Sequence, residues 1–252
     1  MSKREERLLQ LIELANQSVN LHVKDAAKQL NVSEMTIRRD INHSHCFPLC
    51  LLGGYIVRNQ DPNQFSHYLV LEQQQRHTEE KFHIGLIAGK MVKNNDIVFF
   101  DCGTTIPYVI ENIPEHIKFT GVCYSLNVFL ALQKKKNCKV ILCGGQLEID
   151  NAIFTPIIES TPLDIICPSK SFISAAGISL KGVTCFNLNE VNWKIKAIHK
   201  SNLNILIADS SKFDELKAAY FGKLSDFDIL ISDHISEKYL SYCHQNNIKA
   251  YQ

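Results

Sequence analysis

From residue 79 to the end of the chain, short apolar runs alternate with stretches of helical periodicity, and that alternation narrows the possible folds sharply. The runs at 97–100, 119–123, 140–143, 172–175, 205–208 and 229–232 are dominated by Ile, Val, Leu and Phe and read as buried strands. Between them, 79–92, 125–133, 189–199 and 236–245 read as helices. Strands that need cover on both faces and are joined through helices predict an α/β domain: a mostly parallel sheet with helices on both faces. Such sheets bind ligands beyond the carboxyl ends of their strands, so the residues following each run are the candidates for a site.

Those strand ends form a coherent set. After the first run comes Asp101-Cys102-Gly103-Thr104-Thr105, where a glycine turn, exposed N–H groups and two hydroxyls suit a phosphate. The same residues equally describe a strand-to-helix turn with a Thr cap. Ser125 and Asn127 follow the second run, Gly144 and Gly145 the third, and Lys212 lies in Asp209-Ser210-Ser211-Lys212-Phe213. Gly residues allow backbone to approach a ligand, and Lys212 supplies charge for an anion. Asp101 and Asp209 invite comparison with acid/base pairs, but nothing in the sequence fixes their separation. No recognisable Ser-His-Asp or Cys-His signature accompanies them, so no catalytic residue and no enzyme activity is expected.

The first 60 residues have another pattern. Leu8, Leu11, Ile12 and Ala15 form one helical stripe, and Val23, Ala26, Ala27 and Leu30 a second. Asn31-Val32-Ser33 breaks the period: Asn suits a left-handed turn, Val32 a plug between helices, and Ser33 an N-cap. A third helix is expected from about Glu34, with Ile37 and Ile41 inward and Arg39 outward, flanked by Met35, Thr36, Asn42 and, more to one side, Arg38. Such a face suits the major groove of double-stranded DNA. The predicted DNA-binding set is Ser33, Met35, Thr36, Arg38 and Arg39 on or beside this helix, with Lys3, Arg4, Arg7 and Lys24 toward phosphates. Two apolar runs around Gly53-Gly54 predict a wing. The expected division is a winged helix-turn-helix at 1–58, a polar linker at 59–76 and the α/β domain at 77–252.

Composition sets limits on partners. Net charge is +1; residues 1–60 carry 8 Lys and Arg against 6 Asp and Glu, and the rest 19 against 20. Nucleic-acid contact must therefore come from a local surface. The charged start and the lack of a long apolar run predict a soluble, cytoplasmic protein without a membrane partner. Nine cysteines, an odd number without a Cys-x-x-Cys pair, read as reduced core thiols with neither disulfide framework nor metal.

Val32-Ser33-Glu34-Met35-Thr36-Ile37-Arg38-Arg39-Asp40, preceded by Val23-Lys24-Asp25-Ala26-Ala27, closely resembles the helix-turn-helix of the DeoR family of bacterial repressors. Asp101-Cys102-Gly103-Thr104-Thr105, Gly144-Gly145 and Asp209-Ser210-Ser211-Lys212-Phe213 resemble that family's sugar-phosphate-sensing domain, so the likeness spans essentially the whole chain. It implies a fold similar to phosphosugar isomerases and deaminases, a homo-oligomer on a symmetric operator, and no cofactor beyond an effector. Departures from the general pattern are Cys102 for a small residue, Ser174-Ala175-Ala176-Gly177 without the usual Asp, and Asn42-His43-Ser44-His45 after the third helix. With Asn151-Ala152-Ile153-Phe154 and Thr184-Cys185-Phe186-Asn187-Leu188, these resemble the family members governing deoxyribonucleoside catabolism. Deoxyribose-5-phosphate is then the implied inducer. The alternatives are another sugar phosphate, or a phosphosugar isomerase or deaminase with an added N-terminal module.

Overall fold

A computed structural model describes residues 3–17, 21–42, 49–52, 54–58, 77–148, 151–158 and 160–252. The chain divides into two compact units, Met1–Arg76 and His77–Gln252. The expected linker at 59–76, the segment 43–48 and Gly53 lie outside the described residues.

In the first unit, helix α1 (Lys3–Gln17) precedes strand β1 (Leu21–His22), α2 (Val23–Gln29), α3 (Glu34–Asn42), β2 (Leu49–Leu52) and β3 (Tyr55–Arg58). The strands pair antiparallel in the order β1-β3-β2. Leu8, Leu11, Leu21, Val23, Ala26, Ala27, Ile37, Ile41, Leu49, Leu51 and Ile56 make one apolar cluster. The helical stripes legible in the sequence thus meet each other and the inner face of the wing. Asn31 adopts the left-handed conformation (φ 51°), and Val32 packs against the cluster. His22 caps α2: its Nδ1 accepts the Lys24 N–H at 2.9 Å, a cap that a histidine does not advertise in sequence.

The second unit begins with α4 (Thr78–Gly89), β4 (Ile97–Phe100), α5 (Ile106–Glu111), β5 (Phe119–Cys123), α6 (Leu126–Leu132) and β6 (Cys138–Leu142). A hairpin of β7 (Gln146–Glu148) and β8 (Ile153–Thr155) follows, then β9 (Lys170–Ser174), β10 (Gly177–Ser179), β11 (Gly182–Cys185) and α7 (Leu188–Lys200). The remainder is β12 (Asn204–Ile207), β13 (Ala219–Gly222), β14 (Ile229–Ile231), α8 (Glu237–Gln245) and β15 (Lys249–Tyr251).

Seven strands form an entirely parallel sheet in the order β15-β14-β12-β9-β4-β5-β6. Alternate residues of each strand serve opposite faces. Val98, Phe100, Phe172 and Ile205 pack against Ile84 and Ala88 of α4 and Val109 of α5. Phe99, Ile173, Leu206 and Leu230 pack on the other side with Trp193 of α7 and Tyr239 of α8. Both faces are covered, as the apolar runs require. A smaller antiparallel sheet, β10-β11-β13, lies apart from the main one.

The order of strands also locates a crevice. From β4 the chain moves through β5 to β6 toward one edge, whereas from β9, hydrogen-bonded to β4 on its other side, it moves through β12 and β14 to β15. Loops leaving β4 and β9 therefore part in opposite directions, which opens the sheet's carboxyl edge between them.

Candidate operator interface and effector pocket

Helix α3 stands on Ile37 and Ile41, which are 0% and 3% exposed. Ser33 caps it: the Thr36 N–H donates to Ser33 Oγ at 3.1 Å, and the two side-chain hydroxyls lie 2.8 Å apart. Arg39 is exposed, with Met35 and Thr36 partly exposed, and Lys24 on α2 exposed. Arg38 departs from expectation. It is only 5% exposed, because at 100° per residue it borders the buried stripe. Asp40, on the other border, is 2% exposed and accepts from Arg7 Nε at 2.7 Å, while Arg4 donates to the Asp40 carbonyl at 3.3 Å. Arg4 and Arg7, expected to contact phosphates, thus hold α1 against α3. The Lys3 side chain lies outside the described residues.

At the crevice of the second unit, Asp101 follows β4 and is fully buried. Tyr124 OH donates to its Oδ1 at 2.7 Å; the Ser174 N–H and Oγ–H donate to Oδ2 at 2.9 and 2.6 Å. The Lys194 ammonium, also buried, donates to Oδ2 as well and to the Ser174 carbonyl at 3.0 Å. Burial pushes the Asp101 carboxyl up, but the charge of Lys194 and these hydrogen bonds outweigh it and hold the group below the usual carboxylate range. Burial likewise opposes charge on Lys194, and Asp101 more than offsets it, so the ammonium titrates above the ordinary lysine range. With both oxygens occupied, Asp101 joins the loops after β4 and β9 rather than facing a ligand, contrary to the expectation that it binds effector. Gly103 is required beside it, since a Cβ there would lie 2.0 Å from Ser174 Oγ.

Around this pair, Thr104 is partly exposed and Thr105 is 5% exposed. Ser125 and Asn127 are 0% exposed. Asn127 Nδ2 donates to the Cys102 carbonyl at 3.3 Å, which sets its amide against the β4 turn. Its Oδ1 and the Ser125 Oγ are buried without a hydrogen-bond partner. Such orphaned groups cost about 1–3 kcal/mol each. Ser125 and Asn127 both follow β5, the strand that pairs with β4, and Asn127 is tied to the turn after β4. Glu190, i−4 to Lys194 on α7, has its Oε2 3.7 Å from the Lys194 ammonium and accepts from Asn187 Nδ2 at 3.2 Å.

The remaining expected residues divide. Lys212 Nζ lies 3.8 Å from Asp209 Oδ2, at the end of β12. Gly145 serves the hairpin: at φ +147° a Cβ would lie 1.9 Å from the Thr155 carbonyl oxygen. Gly144 is exposed with nothing near a Cβ. Asp209 and Asp101 follow strands separated by β9, roughly 10 Å apart by strand spacing, and so are not a close pair. Lys194, Ser174 and Tyr124 are organising residues that sequence reasoning did not select. The buried thiols of Cys143 and Cys185 are pushed up to about 12 by burial, as expected of core cysteines.

Comparison with known proteins adds to this geometry. A family described as "DeoR C terminal sensor domain" matches residues 76–234, and one described as "DeoR-like helix-turn-helix domain" matches 7–48. The chain is 47% identical over 250 residues to the deoxyribose operon repressor of Escherichia coli (strain K12), covering 98% of each. It is 27% identical to the glycerol-3-phosphate regulon repressor of Haemophilus influenzae, covering 95% of this chain and 93% of that one. Among solved structures, ribose 5-phosphate isomerase from Plasmodium falciparum is a distant likeness, with TM-score 0.39 and 16% identity over 53% of this chain and 52% of that one.

Proposed function

The chain belongs to the DeoR family, and on that premise we propose that it represses genes of deoxyribose and deoxyribonucleoside catabolism, releasing its operator when deoxyribose-5-phosphate binds. The observation that carries this reading is the conjunction, in one chain, of an outward Arg39-Thr36-Met35 face on a capped helix with Ser125 Oγ and Asn127 Oδ1 buried without a hydrogen-bond partner just after the strand paired with β4. On this reading Arg39 reads a base edge, Lys24 meets a phosphate, and Gly103, Thr104, Thr105, Ser125, Asn127 and Lys212 surround the sugar phosphate. A two-fold operator calls for at least a dimer, and DNA as target places the protein in the cytoplasm. An isomerase reading is disfavoured because Asp101, held low by Lys194, is a poor base.

Selection from a random duplex library, followed by gel-shift titration of the enriched sequence, tests the proposal. Enrichment of a two-fold site is expected, with affinity falling when deoxyribose-5-phosphate is added and unchanged by deoxyribose. A selected site whose affinity ignores deoxyribose-5-phosphate would remove it as inducer.

A further inference from the structure

We propose that a second copy of this chain docks on the groove between the segment after β8 and helix α7, the projecting Ile157-Ile158 pair of each copy entering the groove of the other across a two-fold axis. The proposal rests on the repressor reading for the need of two chains on one operator, and it names the surface that joins them.

This face is marked by what the chain itself leaves uncovered. Ile157, Ile158 and Leu188 are 81%, 70% and 75% exposed, and Ile165, next to Asp164 on the rim, is 88% exposed. None of the four belongs to the apolar clusters of the second unit. The groove has a volume of about 630 Å³ and is lined by residues 155–158 and by Leu188, Asn192 and Lys196 of α7. Those three recur at i, i+4 and i+8, so one stripe of α7 faces the groove, while Trp193 at its floor and Ala197 belong to the core. A single exposed apolar residue needs no account, but several around one hollow mark a contact surface.

Shape selects the occupant. A two-fold interface uses the same patch on both chains, so the patch must hold both a projection and a hollow that accepts it. Here the projecting isoleucines border the hollow that their counterparts would fill, and no second surface has to be supplied. Charge agrees with shape. Two copies meet face to face, so an uncompensated charge near the axis would be set against its own kind. Lys196 is the charged residue among the described residues lining the groove, and Asp164 neutralises it, with Nζ and Oδ1 2.8 Å apart. Area is also sufficient. Withdrawing an aliphatic side chain from water removes roughly 60–120 Å², so these four offer roughly 200–400 Å² per copy. The smaller stable interfaces take about 600 Å² per partner, about 65% of it apolar in homodimers. The four residues thus supply about half or more of such an apolar centre, and Thr161 and Asn192 a polar border.

Sedimentation velocity of the full chain without DNA, over a dilution series, tests this beside two variants at exposed positions, Ile157→Lys and Leu188→Glu. The wild type is expected to associate. Each variant is expected to lose one step of assembly or to weaken it at least tenfold, with an unchanged circular dichroism spectrum. Mixing the two variants is expected to recover association, because the introduced lysine of one chain then meets the introduced glutamate of the other. Weakening that mixing does not relieve overturns the two-fold arrangement. Association within twofold of wild type in both variants overturns the groove and leaves the repressor reading standing, since the chains then meet elsewhere. A wild type that stays monomeric overturns the docking, and the duplex selection shows separately whether the repressor reading survives. Should the variants not fold, hydrogen exchange on the wild type decides. Amides of 155–158 are expected to exchange more slowly where the chain is associated than where it is dissociated by dilution, and equal rates overturn the proposal.

Discussion

Neither Asp101 nor Lys194 could occupy its place without the other. Each is buried to within 1% of completely, and each supplies the charge that the other's burial demands. Removing one partner leaves the other uncompensated, so Lys194→Met is expected to cost about 3–5 kcal/mol of stability. In urea unfolding, Asp101→Asn with Lys194→Met together should cost clearly less than the two singles added, and strict additivity would deny the coupling. The pH dependence has a definite sign. Because Asp101 titrates below its unfolded value near 3.9, its contribution is present above that value and is lost as pH falls through the lower native one. Lys194 titrates above the ordinary lysine value, so its share is full below about 10.4 and disappears only as pH rises past the raised native value. Lys81 behaves oppositely. Burial, against the pull of Asp209 and with Lys212 adding to it and Glu80 opposing, brings it down to about 8, so its share of stability is full above the ordinary lysine value near 10.4 and is lost as pH falls through 8. None of these lysines was legible in the sequence. A lysine in a helix is solvated by default, and Lys194 and Lys81 are exceptions only because of what a parallel sheet brings beside them.

Helix α3 shows how far periodicity reaches. Its bounds, its Ser33 cap, the left-handed Asn31 and the outward Arg39 all follow from spacing and local chemistry, and the structure has them in place. The inward turn of Arg38 does not follow, because a residue bordering the buried stripe can go either way and long side chains fold over their neighbours. Arg39→Ala is expected to weaken operator binding by about 1–3 kcal/mol if it contacts a base, without altering thermal stability. Arg7→Ala should lower stability of the first unit first and operator affinity through it, since Arg7 holds Asp40. Circular dichroism beside gel-shift separates the two; a fully stable Arg7→Ala protein with lost affinity would return Arg7 to the phosphate backbone. In the larger unit, the main strands were visible as apolar runs. The short α5, the β7–β8 hairpin and the β10-β11-β13 sheet were not, since elements of three to six residues hold too few side chains to display a period.

Two units with separate apolar clusters are two places for a ligand to add stability. In scanning calorimetry of the full chain, deoxyribose-5-phosphate at a hundred times its dissociation constant should stabilise the second unit by about 2.7 kcal/mol. If induction is thermodynamic, effector and operator must each weaken the other by the same factor, so the stabilisation with both present should fall short of the sum of the two measured alone. Full additivity would separate sensing from release. The whole-molecule division was readable from the change of period along the chain; the crevice between β4 and β9 was not, because strand order is a property of the assembled sheet. The glycine seam between α4 and α5 bears on inheritance as much as on chemistry. A single methyl at Gly85 or Gly89 would meet backbone of α5 or of its C-terminal end within 3 Å and wedge the helices apart, so a lesion as small as glycine to alanine there would unsettle the second unit's fold from a position that carries no reactive group of its own.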